Sequence, residues 1–107
     1  MRRKKTPATD GDVVSAGGIE IDRAQHRAGV DGNELNLTPT EFRLLWALVR
    51  QPGRAFSRHE LMEAAMGDDA LVLERTIDVH VKSLRQKLGD RAEQIETVRG
   101  VGYRFRE

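Results

Sequence analysis

A stripe of apolar residues at helical spacing in the last third of the chain is the strongest constraint on the fold. The stripe consists of Ile77, Val81, Leu84 and Leu88, at successive steps of four, three and four residues. At about 100° per residue, this spacing places all of these side chains on one face of a helix. The pattern therefore predicts an amphipathic helix over residues 74–89, with this face buried in the core.

The opposite face of the same helix combines positive charge, hydroxyl groups, an amide and one apolar side chain, and it carries no carboxylate. Its members are Arg75, Thr76, Val79, Lys82, Ser83 and Gln86. Cations contact phosphates, polar groups hydrogen-bond base edges, and an apolar side chain packs against a thymine methyl group. The face therefore suits the major groove of DNA, although the helix alone is equally consistent with a basic surface helix.

Length and composition indicate one soluble globular domain. The chain has 107 residues, 38% hydrophobic and 33% charged, which is enough for one core but not for two. It contains no cysteine, so a disulfide framework and a thiolate metal site are excluded. No apolar run approaches the roughly 20 residues of a membrane span, and no apolar segment follows the basic N-terminus as in a signal peptide. We therefore expect a cytoplasmic protein without a membrane partner.

Charge is distributed unevenly along the chain, although the net charge is only +1. Residues 11–74 carry six arginines against eleven acids, whereas residues 75–107 carry eight arginines or lysines against five acids. A basic C-terminal third on an acidic body suggests one surface for a polyanion and another for a different partner. Chance segregation of charge in a short chain remains the alternative.

The N-terminal part contains an irregular arm followed by strand signals. Residues 1–11 are basic and lack periodicity, so they are predicted to be a flexible arm or an interdomain linker. Residues 12–107 are assigned to one folded domain. Within residues 12–37, short alternating segments and the turn pair Asp31-Gly32 predict a small antiparallel sheet of three or four strands.

Two capping boxes mark the starts of two further helices. In each box a hydroxyl residue precedes a glutamate by three positions, and a proline also occupies the first helical position of the first helix. The residues concerned are Thr38, Pro39, Glu41, Ser57 and Glu60. The second helix is expected to end near Gly67. Trp46 lies in the apolar stripe of the first helix, and we interpret it as a core residue rather than a platform for stacked bases.

The segment between the second and third predicted helices is acidic. Asp68 and Asp69 stand beside Gly67, a composition that predicts a loop. Carboxylates repel phosphates, so these two residues are expected either to be solubilising charges or to contact a basic protein.

The C-terminal residues predict a β-hairpin with an arginine near its tip. Alternating residues flank Gly100-Val101-Gly102, which supplies a tight turn. Arg99 precedes this turn, and an arginine on a hairpin beside a groove-binding helix can enter the neighbouring minor groove. Tyr103 and Phe105 also favour a hairpin that seals the core. Together, the elements predict an α+β winged helix-turn-helix with an N-terminal antiparallel sheet, a three-helix core and a C-terminal β-hairpin wing.

Several segments carry a resemblance to a known family. They read LTPTEFRLL at 37–45, SR at 57–58, RTIDVHVKSLRQKL at 75–88 and TVRGVGYRF at 97–105. Together they closely resemble the effector domain of OmpR/PhoB-type response regulators, over about residues 12–106. The resemblance implies regulation of transcription by sequence-specific binding to double-stranded promoter DNA, commonly as a tandem dimer on direct repeats. It also implies a phospho-acceptor receiver domain upstream in a longer parent chain, as part of a two-component phosphorelay.

The resemblance also assigns individual residues. It puts Arg75, Thr76, Val79, Lys82 and Ser83 at DNA-facing positions, His80 and Arg85 at a phosphate-contacting flank, Thr97 and Tyr103 near phosphates at the wing, and Arg99 in the minor groove. It makes the loop with Asp68 and Asp69 a candidate contact for RNA polymerase. The chain departs from many family members at Met66, where they have tryptophan, and from several at Ser83, where they have arginine.

Other functional classes have less support in the sequence. A protein-interaction module on the same fold, without DNA binding, is the alternative. The three histidines lack metal-ligand spacing, HExxH is absent, and no helix follows Gly100-Val101-Gly102 as a phosphate-binding loop requires. We therefore expect no catalytic residues, no metal and no cofactor, and the chain is not predicted to be an enzyme.

Overall fold

The computed structural model describes residues 13–66 and 75–106. The predicted arm at residues 1–11 and the predicted acidic loop with Asp68 and Asp69 lie outside the described residues. Within residues 13–66 and 75–106, no helix is long and apolar enough to cross a membrane. The same ranges hold no group of three or more His, Asp or Glu side chains that could bind a metal ion.

The N-terminal sheet has four antiparallel strands in sequential order: β1 (Val13–Ala16), β2 (Ile19–Asp22), β3 (Arg27–Val30) and β4 (Asn33–Glu34). The alternation in β2 buries Ile19 and Ile21 against the helices. Asp31 and Gly32 both adopt positive φ, 50° and 86°, as a two-residue hairpin turn requires. The predicted sheet and its turn are therefore confirmed.

Helix α1 (Pro39–Val49) and helix α2 (Arg58–Met66) both begin at capping boxes. The Thr38 hydroxyl accepts a hydrogen bond from the Glu41 amide at 3.2 Å, and the Glu41 carboxylate accepts one from the Thr38 amide at 2.9 Å. Ser57 and Glu60 make the same reciprocal pair, at 3.0 and 2.8 Å. Each box satisfies amides that would otherwise lack partners at the start of a helix.

Helix α3 (Arg75–Leu88) is the third helix of the core. The four residues of its apolar stripe are all buried, with at most 2% of their surface exposed. The helix ends one residue earlier than predicted, because Gly89 adopts φ 58° and begins a 3₁₀ helix (Gly89–Gln94). Glu74, the predicted first residue, lies outside the described ranges.

A second antiparallel sheet combines β5 (Ala55–Ser57), β6 (Ile95–Val98) and β7 (Gly102–Phe105) in the order β5-β7-β6. Strands β6 and β7 form the predicted wing. A side chain at Gly102 would collide with the carbonyl oxygen of Phe56, so the sheet requires a glycine there. Tyr103 and Phe105 are buried, which confirms that the hairpin also seals the core. Trp46, with 8% of its surface exposed, belongs to the same core.

Candidate nucleic-acid interface

The solvent-facing strip of α3 is formed by Val79, Lys82 and Gln86. Val79 is 65% exposed, which is unusual for a β-branched apolar side chain on a helix whose other face is fully buried. Lys82 forms no hydrogen bond or ion pair with any part of the chain that the structure describes. The side chain of Arg75 lies outside the described residues. The strip thus presents an apolar group, a cation and an amide to solvent, and no carboxylate.

One flank of this strip is held against α1. Ser83 is half-buried, and its hydroxyl donates a hydrogen bond to Oε2 of Glu41 at 2.6 Å. Lys87, one turn later, donates from Nζ to Oε1 of the same carboxylate at 2.6 Å. The Ser83 hydroxyl, which was predicted to face DNA, therefore donates its proton within the protein. Thr76 and His80 are half-buried residues of the same helix.

Glu41 is a buried carboxylate with only 3% of its surface exposed. Burial by itself raises the pKa of this group. Hydrogen bonds from Lys87, Ser83 and the Thr38 amide outweigh that effect and lower the pKa of Glu41 to about 2. The carboxylate therefore stays ionised near neutral pH and ties the start of α1 to the second half of α3.

The other flank of the strip is joined to the wing by Arg85. Its Nε and Nη2 donate to the carbonyl oxygen of Ile95, at 3.1 and 2.8 Å, and Nη2 also donates to the Thr97 hydroxyl at 3.0 Å. The guanidinium carbon lies 5.4 Å from the centre of the Tyr103 ring. Arg85, Thr97 and Tyr103, which the resemblance placed near phosphates, therefore form one connected group between α3 and the hairpin.

Asp78 extends this connection to α2. Its Oδ1 accepts a short hydrogen bond from the Tyr103 hydroxyl and another from Nε of Arg58 at 2.9 Å. The bond from Tyr103 is the main cause that lowers the pKa of Asp78; burial opposes the shift and Arg58 adds to it. One carboxylate thus joins α2, α3 and β7. Its ionised form cancels part of the positive charge at the edge of the interface.

Arg99 lies at the tip of the wing. Within residues 13–66 and 75–106 it forms no hydrogen bond or ion pair. It is exposed, next to Gly100 at φ 81°, and Val101 beside it is 45% exposed. The other arginines of the hairpin already have a carboxylate partner, because Arg104 and Arg106 both pair with Glu96, at 2.9 and 3.1 Å. Arg99 is therefore the arginine of the wing that is available to an external anion.

The sequence predicted the strip but not the two carboxylates that hold its flanks, Glu41 and Asp78. Glu41 was assigned only a capping role, although Ser83 and Lys87 share one face of α3 at four-residue spacing. Asp78 was not selected, although it is the only acid in the α3 sequence. At about 100° per residue, Ser83 and Lys87 lie on one side of the strip and Asp78 and Arg85 on the other. The strip is thus fixed to α1 on one side and to α2 and the wing on the other.

Comparison with known proteins identifies the family. The family described as "Transcriptional regulatory protein, C terminal" matches residues 32–105. The chain belongs to this family. A curated relative, the phosphate regulon transcriptional regulatory protein PhoB of Rhizobium meliloti (strain 1021), is 45% identical over 105 residues, which cover 96% of the chain and 46% of PhoB. The chain therefore spans about half the length of this relative.

Solved structures of DNA-binding domains have the same fold. The DNA-binding domain of the response regulator AdeR, in complex with an intercistronic region, superimposes with a TM-score of 0.77 at 40% identity, covering 87% of this chain and 98% of that one. The Klebsiella pneumoniae RstA DNA-binding domain, in complex with the RstA box, gives 0.75 at 31% identity, covering 88% and 96%. The predicted winged helix-turn-helix and the predicted OmpR/PhoB family are confirmed.

Proposed function

We propose that this transcriptional regulatory domain binds promoter DNA sequence-specifically as the output domain of a two-component response regulator. The observation that carries the proposal is the exposed strip of α3, free of carboxylates and fixed on both flanks. Held in this way, a helix presents its side chains to the major groove with little loss of conformational freedom on binding. The AdeR and RstA domains, both crystallised in complex with DNA, support the proposal.

The DNA contacts divide into base readout and backbone positioning. Val79 would pack against base edges in the major groove and Lys82 would neutralise a phosphate beside it, while Arg99 would enter the adjacent minor groove. Ser83 would contribute its remaining acceptor capacity, because its proton is donated to Glu41. The remaining proposed contacts, to base edges or phosphates, are Arg75, Thr76, His80, Arg85, Thr97 and Tyr103.

The parent protein and its partners are part of the same proposal. Because the chain spans about half of its relatives' length, we assign an upstream receiver domain to the parent. Tandem binding to direct repeats, a cytoplasmic location and a contact of Asp68 and Asp69 with RNA polymerase complete the proposed mode of action. No catalytic residue, metal or cofactor has a role in it.

Selection from random duplex DNA, followed by fluorescence anisotropy on the selected site, tests the proposal. The domain should enrich a site with a repeated half-site and bind it much more tightly than a scrambled duplex of equal length. Lys82→Gln should weaken both complexes, whereas Val79→Ala should reduce only the preference for the selected site. If the domain changes the anisotropy of no duplex at low salt, the protein-interaction module becomes the better interpretation, since a groove-binding protein retains non-specific affinity there.

A further inference from the structure

A groove of about 420 Å³ opens between the turn that follows β2 and the outer side of α1. Its basic lining residues are Arg23, His26, Arg43 and Arg50, and within residues 13–66 and 75–106 no acidic residue lines it. Trp46 contributes an aromatic surface to the same groove. The volume lies within the range of sites that bind small molecules or short peptide segments.

Three of the four basic side chains of the groove lie beside aromatic rings, and the fourth, Arg43, donates from Nη1 to the carbonyl oxygen of Ala65 at 3.1 Å. The guanidinium carbons of Arg23 and Arg50 lie 4.7 and 5.8 Å from the centre of the Trp46 ring. The imidazole of His26 stacks on Phe42 with a centroid distance of 4.1 Å. His26 has φ 55°, a left-handed conformation that costs energy in a residue other than glycine and persists only where the surroundings hold it. The groove therefore places four exposed basic side chains around a buried aromatic ring.

The groove also faces away from the proposed DNA-binding surface. Glu41 on α1 points to α3, where it accepts hydrogen bonds from Ser83 and Lys87. At about 100° per residue, Arg43 and Arg50 lie roughly 160–180° around α1 from Glu41. A duplex lying along the exposed strip of α3 therefore leaves this groove open to a second partner.

We propose that this groove binds a carboxylate-rich segment of a partner protein. A guanidinium donates two parallel hydrogen bonds to a carboxylate, and the guanidinium of Arg50 lies in this groove beside Trp46. An anionic segment would meet no like charge from the lining residues that the structure describes.

Titration with a model peptide tests the proposal directly. The probe is the blocked peptide Asp-Leu-Glu-Asp-Leu-Glu-Asp-Leu, and the matched control replaces each acid by its amide. Trp46 is the only tryptophan of the chain, so its emission reports on the groove without a label. We expect the acidic peptide to change this emission with a Kd below about 1 mM at low salt, and the amide peptide to leave it unchanged.

Charge-matched variants decide whether the groove is the site. Arg23→Gln and Arg50→Gln should each weaken binding of a labelled acidic peptide about tenfold by anisotropy, a readout independent of Trp46. Arg106→Gln, which removes the same charge at the far end of β7, should change it less than twofold. Absence of peptide binding, or an equal loss in Arg106→Gln, overturns the proposal.

Duplex DNA provides the remaining arm of the test. Arg23→Gln and Arg50→Gln should bind duplex DNA as the wild type does, and a saturating duplex should not displace the acidic peptide. Loss of duplex binding in both variants, or displacement of the peptide by DNA, would assign the groove to the nucleic acid and overturn the proposal. A domain that binds the peptide but no duplex would instead contradict only the proposed DNA-binding function.

Discussion

At the scale of single residues, Glu41 makes stability depend on pH. The pKa of its carboxyl is about 2 in the folded protein against 4.5 for a glutamate in water, so folding favours the ionised form. The resulting stabilisation is fully present above pH 4.5 and is lost as the pH falls toward 2. A shift of this size corresponds to about 3 kcal/mol of unfolding free energy. Glu41→Gln should remove most of this pH dependence, as measured by urea denaturation at a series of pH values.

Glu93→Gln is the control for that measurement, because Glu93 is an exposed glutamate of the 3₁₀ helix. It should retain the wild-type loss of stability between pH 4.5 and 2. If Glu41→Gln and the wild type lost stability in parallel over this range, the contacts of Glu41 with Lys87 and Ser83 would not lower its pKa in solution.

Arg99 is the second residue whose role can be isolated. A narrow A·T-rich minor groove attracts an inserted guanidinium more strongly than a G·C-rich one does. Arg99→Ala should therefore weaken binding about tenfold on a site with A·T-rich flanks and much less on the same site with G·C-rich flanks. Arg106→Ala, whose side chain pairs with Glu96, should show no such difference between flanks. Equal affinities of Arg99→Ala and wild type on both duplexes would remove Arg99 from the interface.

At the scale of elements, Arg85 determines how the wing is attached to α3. Lysine at this position keeps the charge but cannot donate to the Ile95 carbonyl and the Thr97 hydroxyl in the same fixed geometry. Arg85→Lys should therefore speed hydrogen exchange of amides in β6 and β7 by about fivefold and weaken duplex binding. Lys82→Arg, a change of the same type on the exposed strip, should leave exchange in the wing unaltered. Unchanged exchange in Arg85→Lys would show that strand pairing alone positions the wing.

The elements themselves could be predicted because their signals are local in sequence. The capping boxes, the Asp31-Gly32 turn and the α3 stripe each depend on residues within a few positions of one another. The contacts on either side of the α3 strip depend instead on residues that are distant in sequence. Glu41 and Lys87 are 46 residues apart, and Asp78 and Tyr103 are 25 residues apart. Only the packing of α1, α2 and the wing around α3 brings them together, so no periodicity reveals them. This packing also explains why Ser83 is not a free hydroxyl.

At the scale of the whole molecule, the electrostatic contribution to binding must come from a few well-placed cations. The chain has a net charge of only +1, and Arg58, Arg104 and Arg106 are already paired with carboxylates. Each phosphate that a cation neutralises contributes about −0.9 to the slope of log affinity against log salt concentration. Lys82→Gln should therefore make the slope shallower by about 0.9, whereas Lys82→Arg should preserve it.

Net charge alone would give a different result. If affinity followed the overall charge, neutralising Arg106 would flatten the salt dependence as much as neutralising Lys82, since each change removes one positive charge. If only the exposed cations contact phosphates, Arg106→Gln leaves the slope unchanged, because the guanidinium of Arg106 is bound to Glu96. Anisotropy titrations of the two variants on one duplex over a series of salt concentrations distinguish these outcomes. Equal slopes in the two variants would mean that the exposed strip of α3 has no special role in binding DNA.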